Sequence, residues 1–216
     1  MFALTEDDLG LRILGCADGP SSFNSEATKR GADVISVDPI YAFSRAEIES
    51  RIEATYLEIV EQTRQNLSTF VWQRFKSVEE LGRARMQAMR RFLADYNEGR
   101  ESGRYLATGL PSLPFLEQQF DLALCSHFLF LYTQQLGEAF HVDSVIEMCC
   151  LAREVRIFPL LGMGGEQSLF VAMVTESMQS RGFRVSIEVV DYEIQRGGNA
   201  LMKICPGSPM GSTQPD

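Results

Sequence analysis

Histidine, basic charge and long apolar runs are all scarce in this sequence, and each shortage closes off a class of function. Two histidines, His127 and His141, stand without a cysteine or carboxylate cluster around them, so no metal site is expected. No stretch reaches the roughly eighteen apolar residues that a membrane-crossing helix needs, so no membrane contact is expected. The opening MFALTEDDLG lacks a basic segment followed by an apolar one, so no signal peptide is expected either. Lysine and arginine total 20 against 29 acids, a net charge of -9. A chain so acidic repels nucleic-acid backbones overall, which makes nucleic acid an unlikely partner. The five cysteines, Cys16, Cys125, Cys149, Cys150 and Cys205, are odd in number and form no CxxC pair. They read as buried, reduced thiols of a cytoplasmic protein.

What is present is ordinary globular material. The 216 residues are 45% hydrophobic and 23% charged, enough for one sizeable core. LRILG (residues 11–15) reads as a short strand ending at Gly15. CADGPSSF follows as a tight loop, and residues 21–30 as a helix closed by Gly31. DVISV (33–37) is a β-branched strand ending at Asp38-Pro39. Strand, glycine loop, helix and strand in so few residues make a βαβ unit with parallel strands. Ser44 with Glu47 and Ser77 with Glu80 both have capping-box spacing. Apolar residues recur at helical spacing between 44 and 98, which predicts two or three helices there, with a polar connection over 97–103. Further strands are expected at 105–108, 120–125 and 154–161. A helix is expected over 133–152, broken near His141, and another over 166–180. The strands VSIEVVDYEIQ and NALMKI are expected to turn tightly at Arg196-Gly197-Gly198.

This alternation predicts an α/β fold with a doubly wound, mostly parallel sheet and an antiparallel C-terminal hairpin. Residues 1–206 read as a single domain with a helical insert at about 44–103, and residues 207–216 as a flexible tail. Ligands bind such sheets at the carboxyl ends of the strands, where strand order reverses. That rule points to residues 15–19, 38–41, 108–115 and 126–128.

Gly15-Cys16-Ala17-Asp18-Gly19 lies directly after the first strand, where glycine lets backbone and ligand approach closely. Asp38 follows about twenty residues on, the position at which nucleoside-binding folds place a carboxylate on ribose hydroxyls. A dinucleotide loop of the form GxGxxG would need a small residue where this chain has Pro20, and a glycine where it has Ala17. A nucleoside joined to an amino acid asks less of the loop.

LRILGCADGPSSF, VISVDP and GLPSLPFLEQQFDLALCSHFLFLY together resemble the motifs of class I (Rossmann-like) S-adenosylmethionine-dependent methyltransferases, over residues 10–45 and 104–204. The resemblance implies a seven-stranded sheet with its last strand antiparallel, and S-adenosyl-L-methionine as cofactor. By position it places the backbone of Gly15, Cys16, Ala17, Asp18 and Gly19 beside the methionine part and Asp38 on the ribose. Pro39 to Tyr41 then border the adenine, Leu110 meets its edge, and the carbonyl of Ser126 faces the amine. The chain departs from the family in having Ile13 where an acid is usual, Ala17 at the middle glycine and Gly109 in place of an acid near the adenine. It also lacks an NPPY-type signature. Asp18 is the acid that remains in the loop.

The sulfonium already activates its methyl group, so the protein's task is to hold an acceptor in line with it. A base is needed only where the acceptor has a proton to lose. His127, after the fourth strand, is the candidate base; the alternative is a histidine packed in an apolar run. The insert and the residue after it carry ten of the arginines. They read as a solvated helix face or as a lid whose Arg83, Arg85, Arg90 and Arg91 meet an anionic substrate. The leading expectation is methyl transfer to a small molecule, an anionic one where the arginines form the lid. Methylation of a protein or RNA group, a cofactor-binding or interaction protein without catalysis, and a nicotinamide dehydrogenase are the alternatives.

Overall fold

The computed structural model describes residues 1–207. Seven strands form one sheet: β1 (Arg12–Cys16), β2 (Asp33–Val37), β3 (Tyr105–Leu106), β4 (Phe120–Ser126), β5 (Ala152–Phe158), β6 (Phe183–Val189) and β7 (Ala200–Pro206). Their order is β3-β2-β1-β4-β5-β7-β6. The first five run parallel to one another, and β7 is antiparallel to both β5 and β6. This is the sheet of the class I methyltransferase fold. The chain moves outward from β1 through β2 to β3, then crosses to β4 on the other side of β1, so strand order reverses between β1 and β4. A crevice forms there by construction.

The central strands read as continuous apolar runs because helices cover both faces. Ile13, Leu14, Leu122 and Ala123 are wholly buried, and each large apolar side chain so buried contributes about 1.5–3 kcal/mol. One face packs against α4 (Glu138–Leu151) and α5 (Phe170–Ser180), the other against α1 (Phe23–Lys29) and the N-terminal segment.

The insert between β2 and β3 holds α2 (Arg45–Gln65) and α3 (Val78–Glu101). Its own core is aromatic: Tyr41, Phe92, Tyr96 and Tyr105 sit with ring centroids 5.0–6.0 Å apart. The Ser44–Glu47 capping box is complete. That at Ser77 is half-formed: Ser77 accepts from the Glu80 amide, but the Glu80 carboxylate accepts from the Lys76 amide instead.

Several expectations need correction. Residues 97–101 are not a connection but the last turn of α3. The helix expected over 133–152 begins only at Glu138 and is unbroken at His141, which lies buried in its first turn. The strand expected at 105–108 is two residues long, and α5 starts at Phe170 rather than near 166. The final strands do pair antiparallel, but no tight hairpin joins them. Residues 190–199 make an excursion that pairs Phe70 with Gln195 and bonds the Val71 amide to the Ile194 carbonyl at 2.8 Å, tying the α2–α3 linker to the β6–β7 connection. Of the expected tail, Gly207 donates to the Gly182 carbonyl at 2.9 Å; residues 208–216 lie outside the described residues. The cysteines are free, but only Cys16, Cys125 and Cys149 are buried, whereas Cys150 is exposed. No helix among the described residues is long and apolar enough to cross a membrane.

Candidate active site

The loop after β1 turns sharply, and two of its residues have left-handed backbones: Ala17 at φ 55° and Gly19 at φ 56°. The Ala17 amide donates to the Val37 carbonyl at 2.8 Å. This turn brings the Asp18 carboxylate back over Gly15, where any side chain would overlap it. Gly15 thus makes room first for a carboxylate of its own loop. Beneath, Ser36 pairs with Gly15 across the sheet and donates its hydroxyl to Asp18 at 2.5 Å.

Ser36 begins a buried polar chain. The Asn24 amide nitrogen lies 3.1 Å from Ser36 Oγ, and Asn24 Oδ1 accepts from Arg104 at 2.7 Å. Arg104 forks onto Asp95 of α3 at 2.7 and 3.0 Å, and the Tyr105 hydroxyl adds a third bond to Asp95 at 3.0 Å. The cofactor-type loop is therefore bonded through α1 and β2 to the helical insert. None of these four side chains (Asn24, Ser36, Asp95, Arg104) stood out in the sequence. Single polar residues in unrelated elements carry no local pattern.

Asp38 points toward the loop. One oxygen accepts from the Gly19 amide at 2.9 Å and the other from the Ile40 amide at 2.8 Å, capping a short helix over 39–42. The Tyr41 hydroxyl donates to the Gly19 carbonyl at 2.8 Å. Tyr41 is otherwise buried in the aromatic core, and the Cys16 thiol is buried among apolar side chains beside Cys125. The Cys16 side chain thus faces the core of the sheet, and the Tyr41 ring the core of the insert. Pro39 is exposed and lies against Gly109, where a side chain would come within 3.1 Å of its ring. Leu110 is half-buried on the main core.

A cavity of about 700 Å3 opens at the crevice between β1 and β4. Asp18, Pro20, Ser21 and Phe23 line one side; Leu124, Ser126 and His127 line another. The N-terminal Met1–Leu4 and Arg85, Ala88 and Met89 of α3 close it. Of the residues expected at the cofactor, Asp18 and Ser126 line it, whereas Gly15, Cys16, Ala17, Gly19, Asp38, Pro39, Tyr41 and Leu110 do not.

Enclosure pushes the Asp18 carboxyl up to about 6, against the Ser36 hydrogen bond and with some help from Asp38. No cation lies within ion-pair distance of it among the described residues. His127 has a left-handed backbone at φ 52° and donates its amide to Phe158 at 2.7 Å. Its Nδ1 lies 2.8 Å from Ser126 Oγ. The imidazole is exposed at the mouth of the cavity, with protein packed around its base. That crowding, then Arg85 and the terminal amine, lowers its pKa to about 4. Of the four arginines singled out in the insert, Arg91 is paired with Glu26 at 2.7 Å and Arg85 alone lines the cavity.

The strand order defines a Rossmann-like protein with the class I methyltransferase fold. The chain belongs to the same family as an uncharacterised protein of Methanocaldococcus jannaschii, to which it is 35% identical over 206 residues, 94% of this chain and 90% of the relative. No protein-family model matches it. Among solved structures it is similar to the magnesium protoporphyrin IX methyltransferase of Synechocystis with bound S-adenosylmethionine, at 13% identity and a TM-score of 0.47, covering 94% of this chain and 73% of that one. It is also similar to a Burkholderia thailandensis 1,6-didemethyltoxoflavin-N1-methyltransferase, at 11% identity and a TM-score of 0.48, covering 92% and 72%. The fold itself rests on the chain's own strand order.

Proposed function

We propose that this chain is an S-adenosyl-L-methionine-dependent methyltransferase acting on a small-molecule acceptor. The observation that carries the reading is Asp18: an enclosed carboxylate without a cationic partner, at the reversal point of the sheet, facing a cavity large enough for a ligand. Such a group demands a cation, and the cofactor brings two, an ammonium and a sulfonium.

The residues present fit that ligand. Asp18 and the Ser126 carbonyl hold the ammonium, beside the backbone of Gly15, Cys16, Ala17 and Gly19. Asp38 is already doubly bonded, but an ionised carboxylate has about four acceptor positions, so each oxygen keeps one for a ribose hydroxyl. Pro39 and Leu110 border the nucleoside, and Tyr41 acts from behind by fixing the Gly19 carbonyl. When bound, the sulfonium supplies an activated methyl group. The protein's own part is orientation and exclusion of water. His127, its pKa lowered, is uncharged at neutral pH and lines the site as a hydrogen-bonding group.

A crystal structure with S-adenosylhomocysteine tests this. The reading expects density running from Asp18 and Ser126 toward Asp38. Density elsewhere, or none at saturating ligand, overturns it in favour of an interaction protein.

A further inference from the structure

We propose that the groove between α2 and α3 is the acceptor pocket of this site, and that it takes an apolar carboxylate: a molecule with a hydrocarbon body and one anionic end. This assignment of substrate class rests on the methyltransferase reading above.

The groove has a volume of about 680 Å3, within the range of small-molecule sites. It is not separate from the crevice. Pro20, Arg85, Ala88, Met89 and His127 line both, so a ligand lying in the groove presents one end beside His127. The walls are apolar: Tyr56, Ile59 and Val60 from α2, Val78 and Leu81 from α3. Tyr192 and Ile194, on the excursion bonded to the α2–α3 linker, line it from the sheet side. Helices of an insert exposing such a face to a cavity need an occupant to cover it.

Charge fixes the occupant's end. No carboxylate lines the groove, and its one permanent cation is Arg85 at the junction. Arg85, which lines both cavities, makes no ion pair or hydrogen bond among the described residues. It is exposed at the junction, and the protein packed around it lowers its pKa, chiefly through desolvation. A planar fork of donors is matched best by a carboxylate. A polyanion would need a row of cations, and the groove has one. With the cofactor bound, a carboxylate oxygen would take the methyl group as the sulfur–carbon bond breaks, leaving a methyl ester and a neutral thioether with no proton to move.

The test uses the full chain labelled with 13C at the methionine methyls, titrated with decanoate, with decanol and with acetate; S-adenosylhomocysteine is titrated separately. Decanoate is expected to shift the Met89 methyl and to bind at least about tenfold more tightly than acetate. Arg85→Gln is expected to weaken decanoate about tenfold and leave decanol unchanged, and Arg85→Lys to restore part of the loss. An unmoved Met89 methyl, or equal decanoate affinity in wild type and Arg85→Gln, overturns the proposal. If decanoate binds and S-adenosylhomocysteine does not, the groove stands and the methyltransferase reading falls. If S-adenosylhomocysteine binds and decanoate does not, the methyltransferase reading stands and the groove proposal falls.

Discussion

The Asp18 carboxylate occupies the space that a side chain at Gly15 would fill. The first glycine of the loop is thus required by a neighbour three residues on, before any ligand is considered. Gly15→Ala must expel that carboxylate from Ser36. The expected result is at least a tenfold loss of S-adenosylmethionine affinity, read by calorimetry, with destabilisation of about 1–3 kcal/mol, as overpacking commonly costs.

Asp18 also ties stability to pH. Its folded pKa, near 6, lies above the ordinary 3.8, so the native state prefers it protonated. Its contribution to stability is greatest below pH 4 and is lost as pH rises through 6. Asp18→Asn should therefore melt higher than wild type at pH 7.5, by an amount of order 1–3 kcal/mol, with the gap closing by pH 4. Thermal melts across that range check this; a gap independent of pH contradicts it.

Ala17 stands where the resembled family has glycine, and the geometry explains the family's choice. At φ 55° a Cβ is strained by about 1–2 kcal/mol, partly offset because glycine loses more chain entropy on folding. Ala17→Gly is expected to be neutral or to stabilise by up to about 1 kcal/mol, measured by urea unfolding. A loss above that would show that the strain lies elsewhere.

Asp95 anchors the insert to the sheet. Burial alone would raise its pKa, but the bonds from Arg104 and Tyr105 outweigh it and the net shift is downward. Its stabilisation is present above the unfolded pKa and fades as pH falls through the lower folded value. Asp95→Asn leaves the Arg104 guanidinium largely buried without its counter-ion, which typically costs about 3–5 kcal/mol. The loop over Gly15 should loosen as well, seen as faster amide exchange at Asn24 and Ser36.

The sheet could be read from the sequence because its strands are apolar runs bracketed by turn residues: Gly31 and Pro39 delimit β2 at the residues expected. What could not be read was set by distant partners. The stretch after β4 is apolar at near-helical spacing, but 127–137 turns instead, and His141 enters α4 with one ring nitrogen on the Gly137 carbonyl and the other on that of Leu129, at 2.9 and 2.8 Å. Arg196-Gly197-Gly198 has the composition of a tight hairpin, yet the segment is drawn away by pairing with Phe70. In the candidate site, the loop and Asp38 were visible as a strand-end pattern. That Asp18 would be its enclosed acid was not, because the reason is a fold-back over Gly15. Arg85 likewise looked like one of several surface arginines until the packing of α3 turned it alone toward the crevice.

Calorimetric titration of S-adenosylmethionine into wild type and Asp18→Asn at pH 7.5 probes the account at its centre. The prediction is saturable one-to-one binding by wild type that weakens as pH falls below 6, and binding at least tenfold weaker by the variant. Equal affinity in the two proteins, or no binding by wild type at millimolar ligand, contradicts it.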